Sequence, residues 1–199
     1  AILPESLTEI GGLIFSDCKS LTRAVLPKGL TAIPGSMFSG CSALTGIVIP
    51  DNVTSIGASA FYNCGKAETV VIGNGVTTIG TNAFAVGLNL RSVTLGTKVQ
   101  TIGEKAFEHC QKLFEVYNNS SIQMEPGVYA KYGMLTYYAY VVVDKDGNAA
   151  YKGQYTGIEY VATDDGFRFL KRSDGTYLLI AYIGEEETIT LPRSIAGSS

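Results

Sequence analysis

Five isoleucines, Ile10, Ile33, Ile56, Ile79 and Ile102, stand 23 residues apart, and five phenylalanines, Phe15, Phe38, Phe61, Phe84 and Phe107, keep the same step. Three further apolar columns run in phase with them: Leu7, Leu30, Val53, Val76 and Val99; Leu21, Leu44, Ala67, Leu90 and Leu113; Ala24, Ile47, Val70, Val93 and Val116. A helix bundle or a sandwich has no reason to keep such a period. A solenoid must keep it, because each coil buries its apolar side chains against the equivalent positions of the coils beside it.

Within one repeat, "LTGIVIP" (44–50) puts Ile47 and Ile49 on one face and Gly46 and Val48 on the other, the two-residue alternation of a strand. Pro50 ends that strand, as Pro27 does one repeat earlier. "VTSIG" follows as a second short extended segment, and "ASAFYNC" as a tight helical turn that drops Phe61 inward. Gly11, Gly57, Gly80 and Gly103 come directly after the isoleucines, where a turn of positive φ is expected because glycine adopts it without steric cost. Pro34 and Gly35 occupy that corner in the second repeat, so its geometry is expected to differ locally. Five coils at a strand spacing of ~4.8 Å would form a ladder about 24 Å long.

The pattern [LV]TxIGxxAFxxCxxLxx[IV]x[IL]P, seen in "VTSIGASAFYNC" (53–64) and "LTAIPGSMFSGCSALTGIVIP" (30–50), resembles the BspA-type bacterial leucine-rich repeats over residues 1 to about 117. The resemblance implies a mainly β, right-handed leucine-rich-repeat solenoid of five coils with short helical turns. It also implies a secreted or surface-anchored bacterial protein and, for several members, adhesion to host matrix proteins. Ala67 in the leucine column, Gly87 in the cysteine column, and Gly73 and Gly96 in place of the strand-ending proline depart from the pattern. These departures bear on local packing.

After "VYNNSS" (116–121) the period stops, and eleven of the twelve tyrosines lie from Tyr117 onward. Residues 118–187 are therefore expected to be a second, tyrosine-rich unit. Alternating segments at 135–143, 157–163, 166–171 and 176–183, separated by Asp146-Gly147, Asp165-Gly166 and Asp174-Gly175, predict a small antiparallel sheet with hairpin turns. A short helix is expected near Val128–Tyr132. "TITLPRSI" (188–195) matches "GIVIPDNV" (46–53) at Ile189, Leu191, Pro192 and Ile195, so residues 188–199 read as the start of a resumed repeat. The opening "AILPESLTEI" likewise stands inside a repeat, which predicts a longer protein continuing upstream, with any targeting signal there.

The residues exclude several chemistries. A net charge of −3 is no footprint for nucleic acid, and the longest apolar run, Tyr137–Val143, is far short of the ~20 residues a bilayer-spanning helix needs. Cys18, Cys41, Cys64 and Cys110 share one repeat column, so they stack with parallel Cβ vectors, which disfavours both disulfides and a tetrahedral metal cluster. Buried thiols bonded to backbone groups are the expectation there. His109 is the only histidine and reads as a turn residue. "DKDGN" (144–148) opens like a calcium loop, but Ala149 and Tyr155 stand where such a loop needs glycine and an acid, so a hairpin turn is expected. Asp164 and Asp165, adjacent in an extended chain, point apart and belong to another turn. No phosphate loop, nucleophile elbow or zinc motif is present, and neither catalytic residues nor a cofactor are expected.

The outward strand positions form two columns: Arg23, Gly46, Thr69, Ser92 and Glu115, and beside them Val25, Val48, Val71, Thr94 and Tyr117. Small and β-branched residues with few charges suit a protein-binding face, though they also suit strands as such. The expectation is thus a non-catalytic, extracellular protein-binding module on a bacterial surface. The resemblance names its partner as a host extracellular-matrix or other surface protein. A purely structural spacer projecting another domain, and glycan binding through tyrosines such as Tyr137, Tyr138, Tyr140, Tyr160 and Tyr182, are the alternatives. The absence of tryptophan weighs against sugar stacking.

Overall fold

The computed structural model describes residues 1–128, 131–151, 159–163, 165–171 and 175–182. The chain falls into two compact units, Ala1–Gln154 and Tyr155–Ser199.

The first unit is a solenoid in which four successive coils each contribute a short and a longer strand. The short strands β1 (Ala32–Ile33), β3 (Ser55–Ile56), β5 (Thr78–Ile79) and β7 (Thr101–Ile102) form one parallel sheet. The longer strands β2 (Gly46–Ile49), β4 (Thr69–Ile72), β6 (Ser92–Leu95) and β8 (Glu115–Asn118) form a second. Pairing follows the repeat without slippage: Gly46 lies opposite Thr69, Thr69 opposite Ser92, and Ser92 opposite Glu115. In β2 and β4 exposed and buried residues alternate, which fixes the register, since a slip of one residue would turn Ile47 and Ile49 to solvent.

Between the sheets runs a ladder of phenyl rings. Phe15, Phe38, Phe61, Phe84 and Phe107 stack with centroids 5.2–5.3 Å apart and planes within 13°. Each ring is thus walled by its counterparts, and the leucine, isoleucine and valine columns fill the space around it.

The corner glycines have a different purpose from the one their position suggested. Gly57, Gly80 and Gly103 do not have positive φ; that conformation falls two residues later, on Ser59, Asn82 and Lys105. Close approach of neighbouring coils is what excludes a side chain. A Cβ on Gly80 would lie 2.6 Å from the backbone of Gly57 and Ala58, and one on Gly103 would lie 2.5 Å from the Thr81 nitrogen. On Gly11, in the first coil, it would meet nothing within 4 Å.

The sheet also continues where the 23-residue wording stops, so the change of period at 117/118 is not a break in it. β9 (Val141–Asp144) pairs parallel to β8 with Glu115 opposite Val141, a step of 26 residues. Every phenylalanine of the ladder donates its N–H to a carbonyl of the next coil: Phe61 to Ala83 at 2.7 Å, Phe84 to Ala106 at 2.7 Å, and Phe107 to Gly133 at 2.8 Å. Positive φ recurs at Tyr132 as at Lys105. Asn63 and Val86 donate to the carbonyls of Ala85 and Glu108, and at the matching place the His109 N–H donates to the Tyr138 hydroxyl at 3.2 Å. Residues 118–144 are therefore a sixth, longer coil.

Part of the segment expected as a strand at 135–143 is helical. A 3-10 turn (Tyr132–Met134) leads into α1 (Leu135–Tyr138), which buries Leu135 and Thr136 and ends where Ala139 turns to extended backbone, ψ 133°. The helix expected near Val128–Tyr132 thus lies further along, and Tyr129 and Ala130 are outside the described residues. β10 (Ala149–Tyr151) returns antiparallel to β9 through the Asp146-Gly147 turn, where Gly147 takes φ 83°.

In the second unit β11 (Glu159–Ala162), β12 (Phe167–Lys171) and β13 (Tyr177–Tyr182) form an antiparallel sheet in sequence order, as the alternation there predicts. Gly166 and Gly175 have positive φ at the two turns. Phe167 and Phe169 are buried, and their rings stack at 6.0 Å. Asp164, Asp174 and the resumed repeat expected at 188–199 lie outside the described residues.

Candidate functional site

The outward columns of the larger sheet sit on strands whose inward side chains are locked in the core, so their spacing is that of the ladder. Val48 is 68% exposed, Val71 39% and Val25 36%, and Arg23 and Thr69 are exposed as well. Ser92, Thr94 and Tyr117 are half-buried. Ile2, bridged in parallel to Val25 and 85% exposed, continues the aliphatic column, which therefore holds Ile2, Val25, Val48 and Val71. The sequence reading omitted Ile2, although it stands one period before Val25.

Glu115 departs from the expected exposed column. It is 2% exposed, its carboxylate accepts a bond from the Tyr117 hydroxyl at 3.2 Å, and its neighbour Val141 is fully buried. The accessible face accordingly runs over the first four coils and closes at β8 and β9. Tyr140, one of the tyrosines considered for glycan contact, stacks on Phe114 at 5.2 Å, and Tyr138 is engaged with His109.

The cysteine column is structural. Cys41 Sγ donates to the Phe15 carbonyl at 3.0 Å, and Cys64 and Cys110 donate to those of Phe38 and Phe84, each at 3.4 Å. All four cysteines are free. Burial, the largest influence, pushes the Cys64 and Cys110 thiols up from 9.0 to about 12, and Cys41 to about 11. Such thiols are poor nucleophiles and poor metal ligands at neutral pH.

Their titration gives the fold an alkaline limit. Below pH 9 folded and unfolded chains carry the same thiol protons. From there toward pH 12 the unfolded chain loses protons that the folded one keeps, so stability falls as pH rises, by up to about 1.4 kcal/mol per pH unit for each of Cys64 and Cys110. Urea midpoints followed through this range should drop less steeply in a Cys64→Ala/Cys110→Ala variant than in the parent.

The remaining candidates for chemistry resolve into turns. No group of three or more histidine, cysteine, aspartate or glutamate side chains is placed to hold a metal among the described residues. Asp144 accepts the N–H groups of Asp146 and Asn148 at 2.9 and 2.8 Å across the hairpin. The Asn148 side chain, first among several hydrogen bonds, holds the Asp144 carboxyl below its usual range. A cavity of about 350 Å³ opens beside this hairpin, and on its wall the Ser120 hydroxyl donates to the Asn118 side-chain oxygen at 2.6 Å. Asp165 accepts a bond from the Thr163 hydroxyl. No helix among the described residues is long and apolar enough to cross a membrane.

The "BspA type Leucine rich repeat region" matches residues 1–114 as six copies. No curated protein matches the chain. Among solved structures, a leucine-rich repeat protein of T. pallidum is 26% identical with a TM-score of 0.57, over 72% of this chain and 66% of that one. A leucine-rich repeat protein from Bacteroides ovatus is 18% identical, with a TM-score of 0.31, over 72% and 54%. A leucine-rich cell surface protein from Faecalibacterium prausnitzii is 19% identical, with a TM-score of 0.32, over 84% and 54%. The chain thus spans between 54% and 66% of the lengths of these three proteins. With coils in unbroken register and matched repeats over more than half of its length, the chain belongs to the BspA-type bacterial leucine-rich repeat family.

Proposed function

We propose that this chain is a non-catalytic, extracellular protein-binding module of a bacterial surface protein, and that its partner is a host matrix protein or another surface protein. The observation that carries the reading is the aliphatic column Ile2, Val25, Val48 and Val71, exposed on the side of the sheet opposite the core. Exposed branched side chains at ladder pitch, with Gly46 and Thr69 beside them, form an apolar strip on a preorganised surface. A partner docking there orders little of the protein, so little entropy opposes binding. Adhesion is the role that follows from such a face on a surface protein.

Surface plasmon resonance against fibronectin, fibrinogen and a glycan panel tests the reading, with a Val48→Lys/Val71→Lys variant alongside. Saturable binding to a protein, weakened about tenfold or more in the variant, is expected, because two charges would have to be desolvated in the contact. Equal binding by both forms would move the site off the strand face. Binding to neither protein nor glycan would favour the spacer.

A further inference from the structure

Past each longer strand the chain turns, and in that turn one side chain ties its coil to the next. Asp51 Oδ1 accepts the Asn74 N–H at 2.6 Å, and Asn74 Oδ1 accepts the Thr97 N–H at 3.0 Å. Asn74 is the one asparagine of the chain that is followed by glycine. Packing demands that glycine: a Cβ on Gly75 would collide with the Asp51 carbonyl oxygen and lie 2.8 Å from that of Val53. The same lack of a Cβ leaves the Gly75 nitrogen unshielded toward the asparagine side chain.

The fold keeps both groups of this pair available. Asn74 is exposed and stands beyond Ile72, the last residue of β4. Among the described residues the Gly75 N–H donates to no acceptor, and Asn74 Nδ2 has no partner. The bond that Asn74 does make activates it, because the Thr97 N–H is aimed at the oxygen on which negative charge develops when a nucleophile adds to Cγ. Other asparagines are placed differently. Asn52 and Asn89 hold main-chain carbonyls through Nδ2, and Asn63 and Asn82 take positive φ ahead of Cys64 and Ala83.

We propose that Asn74 is a self-modification site at which the Gly75 main-chain nitrogen displaces the side-chain amide. Gly75 N gives its proton to hydroxide and bonds to Asn74 Cγ. The Cγ–Nδ2 bond then breaks, and Nδ2 leaves as ammonia with a proton returned by solvent. One water opens the resulting succinimide ring: addition at Cγ gives aspartate, and addition at the main-chain carbonyl gives isoaspartate. Aspartate keeps an acceptor for Thr97, as Asp51 keeps one for Asn74, but sets two carboxylates one coil apart. Isoaspartate lengthens the main chain by one carbon beside Gly75, which has no room to shift.

Trypsin releases Asn74, Asn82 and Asn89 in one peptide, 67–91, so tandem mass spectrometry reads the three against one another. In the 199-residue chain, held in mildly alkaline buffer at body temperature, Asn74 should deamidate about tenfold or more faster than Asn82 and Asn89. Its rate should also stay within about tenfold of that in the same chain unfolded in urea. Thr97→Pro, which removes the N–H donor, should slow Asn74 about threefold or more in the folded chain and leave the urea rate unchanged. Circular dichroism establishes that each sample without urea is folded, and the comparison of the parent with and without urea stands even if the proline variant does not fold. Deamidation of Asn74 in the folded parent more than about tenfold below the urea rate would overturn the proposal, since the turn would then protect the amide. An unchanged rate in folded Thr97→Pro would overturn the activation assigned to Thr97.

Discussion

Gly80→Ala is expected to destabilise the solenoid by about 3 kcal/mol, although it adds a single methyl group. The new Cβ would lie 2.6 Å from the Gly57 carbonyl carbon and the Ala58 nitrogen, both backbone atoms of the preceding coil. No rotamer relieves a clash between a Cβ and a neighbouring main chain. The coils would have to separate, and parting them strains the Gly80 N–H bond to the Ile56 carbonyl, now 2.8 Å. Gly11 occupies the same column with nothing within 4 Å of its would-be Cβ, so Gly11→Ala should change stability by less than about 0.5 kcal/mol. Urea unfolding of the two variants separates close approach from glycine flexibility as the cause. Equal effects at both positions would mean that coil spacing is not what selects glycine there.

Phe61→Ala should cost about 3–5 kcal/mol, the larger of the two effects. The ring is 4% exposed and stacked on both faces, at 5.2 Å from Phe38 and 5.3 Å from Phe84. Removing it leaves a void in the middle of the ladder that the backbone cannot collapse into, because the strands on either side are held by parallel pairing. Stability in a coil stack is close to a sum of nearest-neighbour terms, so the loss falls on two coil interfaces at once. Phe15→Ala, at a half-buried ring stacked on one face, should cost clearly less. Urea unfolding by circular dichroism checks the order, and a larger loss at Phe15 would contradict it.

What the sequence made legible followed from the period. Each of the five columns maps onto the core, because stacking forces equal chemistry at equal positions, and the Asp-Gly turns of the hairpins are local signals that need no tertiary information. The corner glycines were visible, but their reason was not: inter-coil distance has no signature in one repeat, whereas positive φ is a property of a single residue. It is carried here by serine, asparagine, lysine and even Val86, at φ 62°. The sixth coil was hidden because it preserves roles rather than residue types. Gly133 supplies the carbonyl that Met37, Ala60, Ala83 and Ala106 supply in the earlier coils, and the Tyr138 hydroxyl replaces a backbone carbonyl altogether.

The candidate face was legible in outline and inaccurate at its ends. Alternation along β2, β4 and β6 placed Val48, Thr69, Val71, Ser92 and Thr94 on the outward side. Glu115 follows the same alternation, but its burial depends on what surrounds β8 and could not be read from the repeat. Ile2 was open to the same arithmetic that found Val25. The cysteine column shows why spacing outweighs residue type: of four reactive side chains at one repeat position, Cys41, Cys64 and Cys110 became hydrogen-bond donors to the coil behind them.

Rigid display by one continuous stack of coils, from the first through the divergent sixth, is the central claim, and native-state amide hydrogen exchange tests it most directly. The informative amides are Val93 and Val116 within the regular coils, Phe107, which bonds to Gly133 at 2.8 Å, and Val141, which bonds to Phe114 at 3.0 Å. If the sixth coil is part of the stack, Phe107 and Val141 should exchange with opening free energies within about 1 kcal/mol of those at Val93 and Val116. Exchange of Phe107 and Val141 at the rates of unprotected loops, with Val93 still slow, would show that the stack ends at the fifth coil and would contradict the account.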